Sequence, residues 1–189
     1  DGAFSRKISK ALGSRFATHL DLAVDLDEWC KWAIDNNVPS EIISFLRLRP
    51  DLLHHFDPAA QGNSFPCPRV WANVGLFMGK LPREAELPFL AGALGFGPAA
   101  EFVSYLQICR DMPDMESIMQ DPDNAEVPGE PSVLYALCGA MSRKVNSVNV
   151  SRAFRYMKRL PSEFQVVWLR DALQAAPFIA STMEFTDWA

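Results

Sequence analysis

The sequence predicts a mainly α-helical chain that begins with one short helix and one short strand. Three observations carry this reading. From Asp25 onward apolar residues recur at the 3.6-residue spacing of a helix buried on one side. Proline- and glycine-bearing breaks at Pro50, at 57–68, at Gly95-Phe96-Gly97-Pro98 and at 121–131 divide that pattern into runs of helical length. Only 16–24 departs from it, with an imperfect alternation around Leu20 and Leu22 that suits a strand.

Residues 5–14 form a short helix in this reading, with Ile8 and Leu12 four apart on one face. A lone strand at 16–24 has no partner for its backbone groups, so its neighbours lie outside the chain or another element covers it. The next helix carries Leu26, Trp29, Ala33 and Ile34 inward, with Asp25 or Asp27 placed to cap it and Asn36-Asn37 to stop it. Residues 40–48 follow through Ile42, Ile43, Phe45 and Leu46 and end before Pro50. A further turn is expected at 51–56, a loop at 57–68, and a helix at 69–79 with Trp71, Val74 and Phe77 facing inward. Leu81-Pro82 marks an internal boundary. Helices at 83–94, 98–110, 132–143, 149–160 and 161–175 complete the chain, and no sequence repeat is found.

Composition narrows the function classes. A hydrophobic content of 49% over 189 residues supports a packed core and excludes global disorder. The formal net charge of -5 disfavours bulk attraction to nucleic acid or to an anionic membrane. No apolar run approaches the roughly 18 residues that a membrane span needs. Cys30, Cys67, Cys109 and Cys138 are widely spaced and make no CxxC pair, so they read as small buried residues of a reducing cytoplasm, with disulfides or zinc as the alternative. No metal is expected.

Several near-motifs fail on their own chemistry. Gly75 to Lys80 has three residues between its glycines where a phosphate loop needs four, Leu81 stands where a magnesium-binding hydroxyl belongs, and no strand precedes it. Asp121, Asp123 and Asn124 resemble the start of a calcium loop, but Ala125 and Glu126 take the places of a ligand and of the required glycine. His19, His54 and His55 show no ligand spacing to one another. Two arginines remain. Arg15 ends the segment before the expected strand, and Arg69 opens a helix behind Pro66 and Pro68, which restrict the chain that feeds it. A guanidinium stays charged and forks onto phosphate oxygens, so either could serve phosphoryl transfer or be a surface arginine.

The order of these segments resembles the C-terminal part of MoxR-like AAA+ ATPases. Ile8-Ser9-Lys10-Ala11-Leu12-Gly13-Ser14-Arg15-Phe16 is similar to the passage from the last helix to the last strand of the ATPase core. Asp27-Glu28-Trp29 through Phe45-Leu46-Arg47-Leu48-Arg49-Pro50 resembles the start of the helical lid, and Phe65-Pro66-Cys67-Pro68-Arg69-Val70-Trp71 resembles the sensor-2 motif, with Cys67 where the family usually has serine or threonine. The resemblance is tightest over 1–80. It implies a core remnant at 1–24, a lid at 25–82 and a helical C-terminal extension at 83–189. It further implies that Arg15 is the arginine finger, with Arg6, Lys7 and Lys10 as neighbouring alternatives, and that Arg69 is the nucleotide-binding sensor-2 arginine. ATP with magnesium would be used by an intact parent whose phosphate loop precedes Asp1, and this chain alone would be inactive. Other subunits of a ring homo-oligomer and a protein client, remodelled in chaperone fashion, are the implied partners.

Within the extension, Arg143, Lys144, Arg152, Arg155, Lys158 and Arg159 are the only charged residues between Met141 and Pro161. Arg152, Arg155 and Arg159 form one helical stripe, and Val150, Phe154, Met157 and Leu160 form the apolar one. The basic stripe is a docking surface for an acidic partner or a nucleic-acid backbone, a solvated face, or part of a subunit collar. Trp168, Phe185 and Trp188 either anchor such a contact or close the core. The rival to the ATPase reading is a non-enzymatic helical interaction or assembly module.

Overall fold

Each helix begins where the local chemistry can satisfy its first amides. The computed structural model describes residues 9–18, 20, 23–56, 64–112 and 114–188. α1 (Lys10–Gly13) is a single exposed turn capped by Ser9, and the part of the expected helix before it lies outside the described residues. No strand occurs among the described residues, and Phe16, Leu20 and Val24 are exposed. An alternating segment without an edge to pair with gains nothing from extending. His19, Asp21 and Leu22 of that segment lie outside the described residues.

α2 (Leu26–Asp35) starts at Asp25, whose carboxylate accepts the Glu28 amide at 2.9 Å. Asp27 and Glu28 then suit the positive end of the helix dipole. Asn37 ends the segment at φ 56°, a left-handed conformation that asparagine tolerates better than most residues. α3 (Ser40–Leu48) buries Ile42, Ile43, Phe45, Leu46 and also Arg47, and a short 3₁₀ turn follows at Pro50–Leu52. α4 (Pro68–Gly75) uses Pro68 at its first turn, where no amide donor is missed. Its Trp71 is fully buried and donates its indole N–H to the Leu52 carbonyl at 2.8 Å.

The helix expected at 69–79 therefore stops at Gly75 and continues as turns to Lys80. Gly75 abuts Pro39: a Cβ there would meet the Pro39 ring at 3.0 Å. Phe77 consequently does not face the core as the periodicity suggests. It is 45% exposed and lies against Phe89, with ring centroids 5.0 Å apart.

α5 (Arg83–Leu94) and α6 (Phe96–Asp111) are joined through Gly95, at φ 84°. α7 (Met115–Gln120) is a short helix that the apolar pattern did not reveal. α8 (Pro131–Lys144), α9 (Val150–Met157) and α10 (Ser162–Ala175) follow, and a 3₁₀ turn at Pro177–Ser181 and α11 (Met183–Thr186) end the described chain.

Two apolar clusters form the interior. The first gathers α2 to α6 around Phe45, Trp71 and Phe102, whose ring centroids lie 5.0–5.7 Å apart. Trp71 and Val74 precede Leu81-Pro82, and Leu90, Leu94 and Phe102 follow it, so this core runs straight across that dipeptide. The second cluster gathers α7 to α10 and the 3₁₀ turn around Leu137, Met141, Phe154 and Trp168. α8 belongs to both clusters, through Ala136 on one and Leu137 on the other. Burying each such large side chain contributes about 1.5–3 kcal/mol.

Between the clusters lies a buried ion pair. Arg47 of α3 meets Asp171 of α10 with both guanidinium termini on both carboxylate oxygens, Nη2 to Oδ1 at 2.5 Å, and the side chains are 6% and 4% exposed. Burial alone would make Arg47 a weaker base, but the hydrogen bonds and charge of Asp171 outweigh it and raise its pKa. Arg47→Met should destabilise the fold by about 3–5 kcal/mol in urea titration, because it strands a buried carboxylate. The double variant Arg47→Met/Asp171→Leu should recover most of that loss, and a double variant as unstable as the single one would contradict the assignment.

Candidate functional site

Cys67 and Pro68 set the direction of Arg69. Cys67 is extended (φ -152°, ψ 163°) and makes no side-chain cap, and Pro68 opens α4, so Arg69 stands in the first turn of that helix. Free amides and the dipole make such a turn locally positive, and the guanidinium adds to it. Arg69 is exposed and has no hydrogen-bond or ion-pair partner among the described residues. Other arginines are engaged: Arg47 with Asp171, Arg49 with Asp51 and Glu101, Arg110 with Glu86, Arg155 with Asp123, and Arg170 with Asp27.

Beside Arg69 lies an open cleft of about 390 Å³ lined by Trp29, Trp32, Pro68, Ala72 and Asn73. It adjoins a second cleft of about 290 Å³ that shares Trp32, Ala72 and Asn73 and extends to Pro39, Gly75 and Leu76. Trp32 is 47% exposed, so its indole is free on one side. Among the described residues, Arg69 is the only charged one lining either cleft. The groove thus offers an aromatic wall with a permanent cation beside it, a combination that suits a planar ring joined to an anion.

Arg15 is not among the lining residues of this groove. It lies exposed in the turn after α1, its amide bonded to the Leu12 carbonyl at 3.1 Å. Lys10 opens α1, and Arg6 and Lys7 lie outside the described residues. Gly75 to Lys80 forms the end of α4 and the turns after it, with no strand before it. The His55 amide donates to the Pro66 carbonyl at 3.0 Å, the His54 ring lies edge-on to Phe65, and both histidines are exposed. Among the described residues no three His, Cys, Asp or Glu side chains are grouped to hold a metal.

The basic stripe of α9 is largely engaged within the chain. Arg155 pairs with Asp123, and Arg159 donates to the Pro122 carbonyl at 2.7 Å while lying over the Tyr156 ring. Tyr156 in turn donates to the Glu126 carbonyl at 2.7 Å. Asp121 accepts from the Asn124 side chain at 3.0 Å, so its carboxylate shapes the loop locally. Arg152 is exposed and has no such partner among the described residues. Trp168 is buried, and Phe185 and Trp188 pack against the same cluster, with the Trp188 indole donating to Gln165 at 2.9 Å. These aromatics close the core.

Two features escaped sequence reasoning. Trp32 falls outside the apolar stripe of α2, and a tryptophan on the polar side of an amphipathic helix is the signal that marks it. Arg47 interrupts the apolar face of α3, which signals a buried partner without naming it. Comparison with known proteins adds no identification: no family model matches the chain, and no curated protein or solved structure gives a significant match.

All four cysteines are free thiols. Burial pushes the Cys30 thiol from 9.0 up to about 11, and pushes Cys109 and Cys138 from 9.0 up to about 12. The folded chain therefore holds more protons than the unfolded chain between about 9 and 12, and stability falls as pH rises through that window. Burial of Tyr105 acts in the same direction. Urea midpoints should decline from pH 8.5 to 10.5, and less steeply in Cys138→Ala. At pH 8, iodoacetamide should label native Cys67 well before Cys30 or Cys138; equal labelling would contradict the buried placement.

Proposed function

We propose that the chain is the C-terminal part of a MoxR-like AAA+ ATPase and that the groove between α2 and α4 faces its nucleotide. The observation that supports this most is Arg69: a guanidinium at a helix start, without a carboxylate partner among the described residues, beside an indole-lined groove. In this reading Arg69 is the sensor-2 arginine. It forks onto the terminal phosphate of ATP, and loss of that phosphate on hydrolysis removes its strongest anionic partner and lets the lid, residues 25–82, reorient. Arg15 acts on the nucleotide of the neighbouring subunit in a ring, placing a permanent cation where charge develops during phosphoryl transfer.

Magnesium and the phosphate-binding loop belong to a part of the ATPase that these residues do not supply. The groove fits the base and phosphate ends of a nucleotide in chemistry, and this chain's share is electrostatic. Residues 83–189 serve as an extension for assembly or for a protein client. ATP-driven remodelling in the cytoplasm is the corresponding process.

The test is turnover and ATP affinity in the full-length protein. Arg69→Ala should weaken ATP binding by about 10-fold or more, the value of a hydrogen-bonded charge. Arg15→Ala should leave binding intact and lower turnover by about 10³-fold. If neither substitution changes binding or turnover, the nucleotide reading fails and a helical assembly module takes its place.

A further inference from the structure

α2 has three working faces. Trp29 and Trp32 line the groove beside Arg69. Cys30, Ala33 and Ile34 enter the first apolar cluster. The remaining face receives α10: Asp27 pairs with Arg170 at 2.8 Å, and the Gln174 side chain donates to the Lys31 carbonyl at 2.6 Å and to Asp35 at 2.8 Å. One turn before Gln174, Asp171 holds Arg47 of α3. The loop between α2 and α3 is gripped as well, by Arg143 of α8, which donates to the Val38 carbonyl at 2.6 Å. α8 also lies close on the α3 backbone, since a Cβ at Gly139 would sit 3.3 Å from the Ser40 carbonyl oxygen. α2 is therefore tied directly to α10, and to α8 through the α2–α3 loop and the start of α3.

We propose that α2 is a two-sided lever, so that occupancy of the groove at Trp29, Trp32 and Arg69 is felt by α8 and α10 and the C-terminal helices move with the nucleotide-facing ones as one body. The nucleotide as occupant rests on the reading above; the lever itself rests on the contacts of α2. Close-packed helices joined by hydrogen bonds on both sides shift together rather than slide past one another. Coupling of this kind is reciprocal: whatever seats on α8 and α10 changes affinity at the groove by the same factor. Residues 83–189 then act as the output arm of the nucleotide site.

Hydrogen exchange on the full-length protein tests this, with and without Mg-ATP and in the variant Trp32→Ala, whose side chain is already half exposed. Amides of Ser162–Ala175 should exchange at least about fivefold more slowly with Mg-ATP and measurably faster in Trp32→Ala. In Asp27→Asn/Gln174→Ala the response of α2 and α4 should persist while that of α10 falls. If α2 and α4 respond to Mg-ATP and to Trp32→Ala but α10 answers neither, the lever is wrong and the nucleotide reading stands. If Mg-ATP leaves α2, α4 and α10 all unchanged while Trp32→Ala reaches α10, the lever stands and the nucleotide reading falls.

Discussion

The buried pairing of Arg47 with Asp171 is the constraint on which the arrangement of the chain depends. Neither charge has water to return to, and each is tolerable only because the other faces it with two hydrogen bonds. The pair joins residues 124 positions apart, so it fixes α10 against α3 in one register and one rotation. Its net stabilisation relative to an apolar pair is small, but separation of the partners is expensive. That asymmetry makes it a specifier of geometry more than a source of stability. Cys30 and Cys138 lie within the field of both charges, which places the pair beneath α2 and α8 as well.

The same constraint explains why the groove can be open. With the aromatic interior of Phe45, Trp71 and Phe102 on one side and the α10 clamp on the other, α2 needs neither Trp32 nor the outer face of Trp29's neighbourhood for its own stability. Trp32 is left as an exposed indole on a packed helix, beside an arginine that has no partner among the described residues. A cation and an aromatic wall held on rigid elements form a preorganised surface, which loses little conformational freedom when something binds. The loop at 121–131 follows the opposite logic. Its carbonyls and Asp123 absorb Arg155 and Arg159, turning a stripe of apparent surface charge into a clasp.

What could be read from the sequence followed from how local the information was. The bounds of α3 and the stop of α2 were legible because an apolar stripe and a Pro or Asn stop lie within one window, whereas the cap of α2 stayed open between Asp25 and Asp27. α7 was not, since six residues are fewer than two turns and give no period. Phe77 was misplaced by continuing a period past Gly75, where α4 ends. The expected strand at 16–24 does not occur among the described residues of that segment, and alternation alone fixes no strand. At the candidate site the place of Arg69 was legible from its flanking prolines, whereas its indole wall was not, because Trp32 lies off the stripe that periodicity detects. The burial of Arg47 was not read from the sequence, because the partner that makes it tolerable lies 124 positions away, beyond any local signal. The basic stripe assumed a helix over 149–160, but α9 ends at Met157, so Arg159 lies in the turn beyond it, where the Pro122 carbonyl occupies it.

In the proposed lever both apolar clusters and the groove on α2 move as one mechanical body. Urea unfolding of two single-tryptophan variants tests it most directly, one keeping Trp71 of the first cluster and the other keeping Trp168 of the second. The two fluorescence transitions should coincide with each other and with the loss of helical circular dichroism. Two separated transitions, with one cluster melting while the other stays folded, would contradict it.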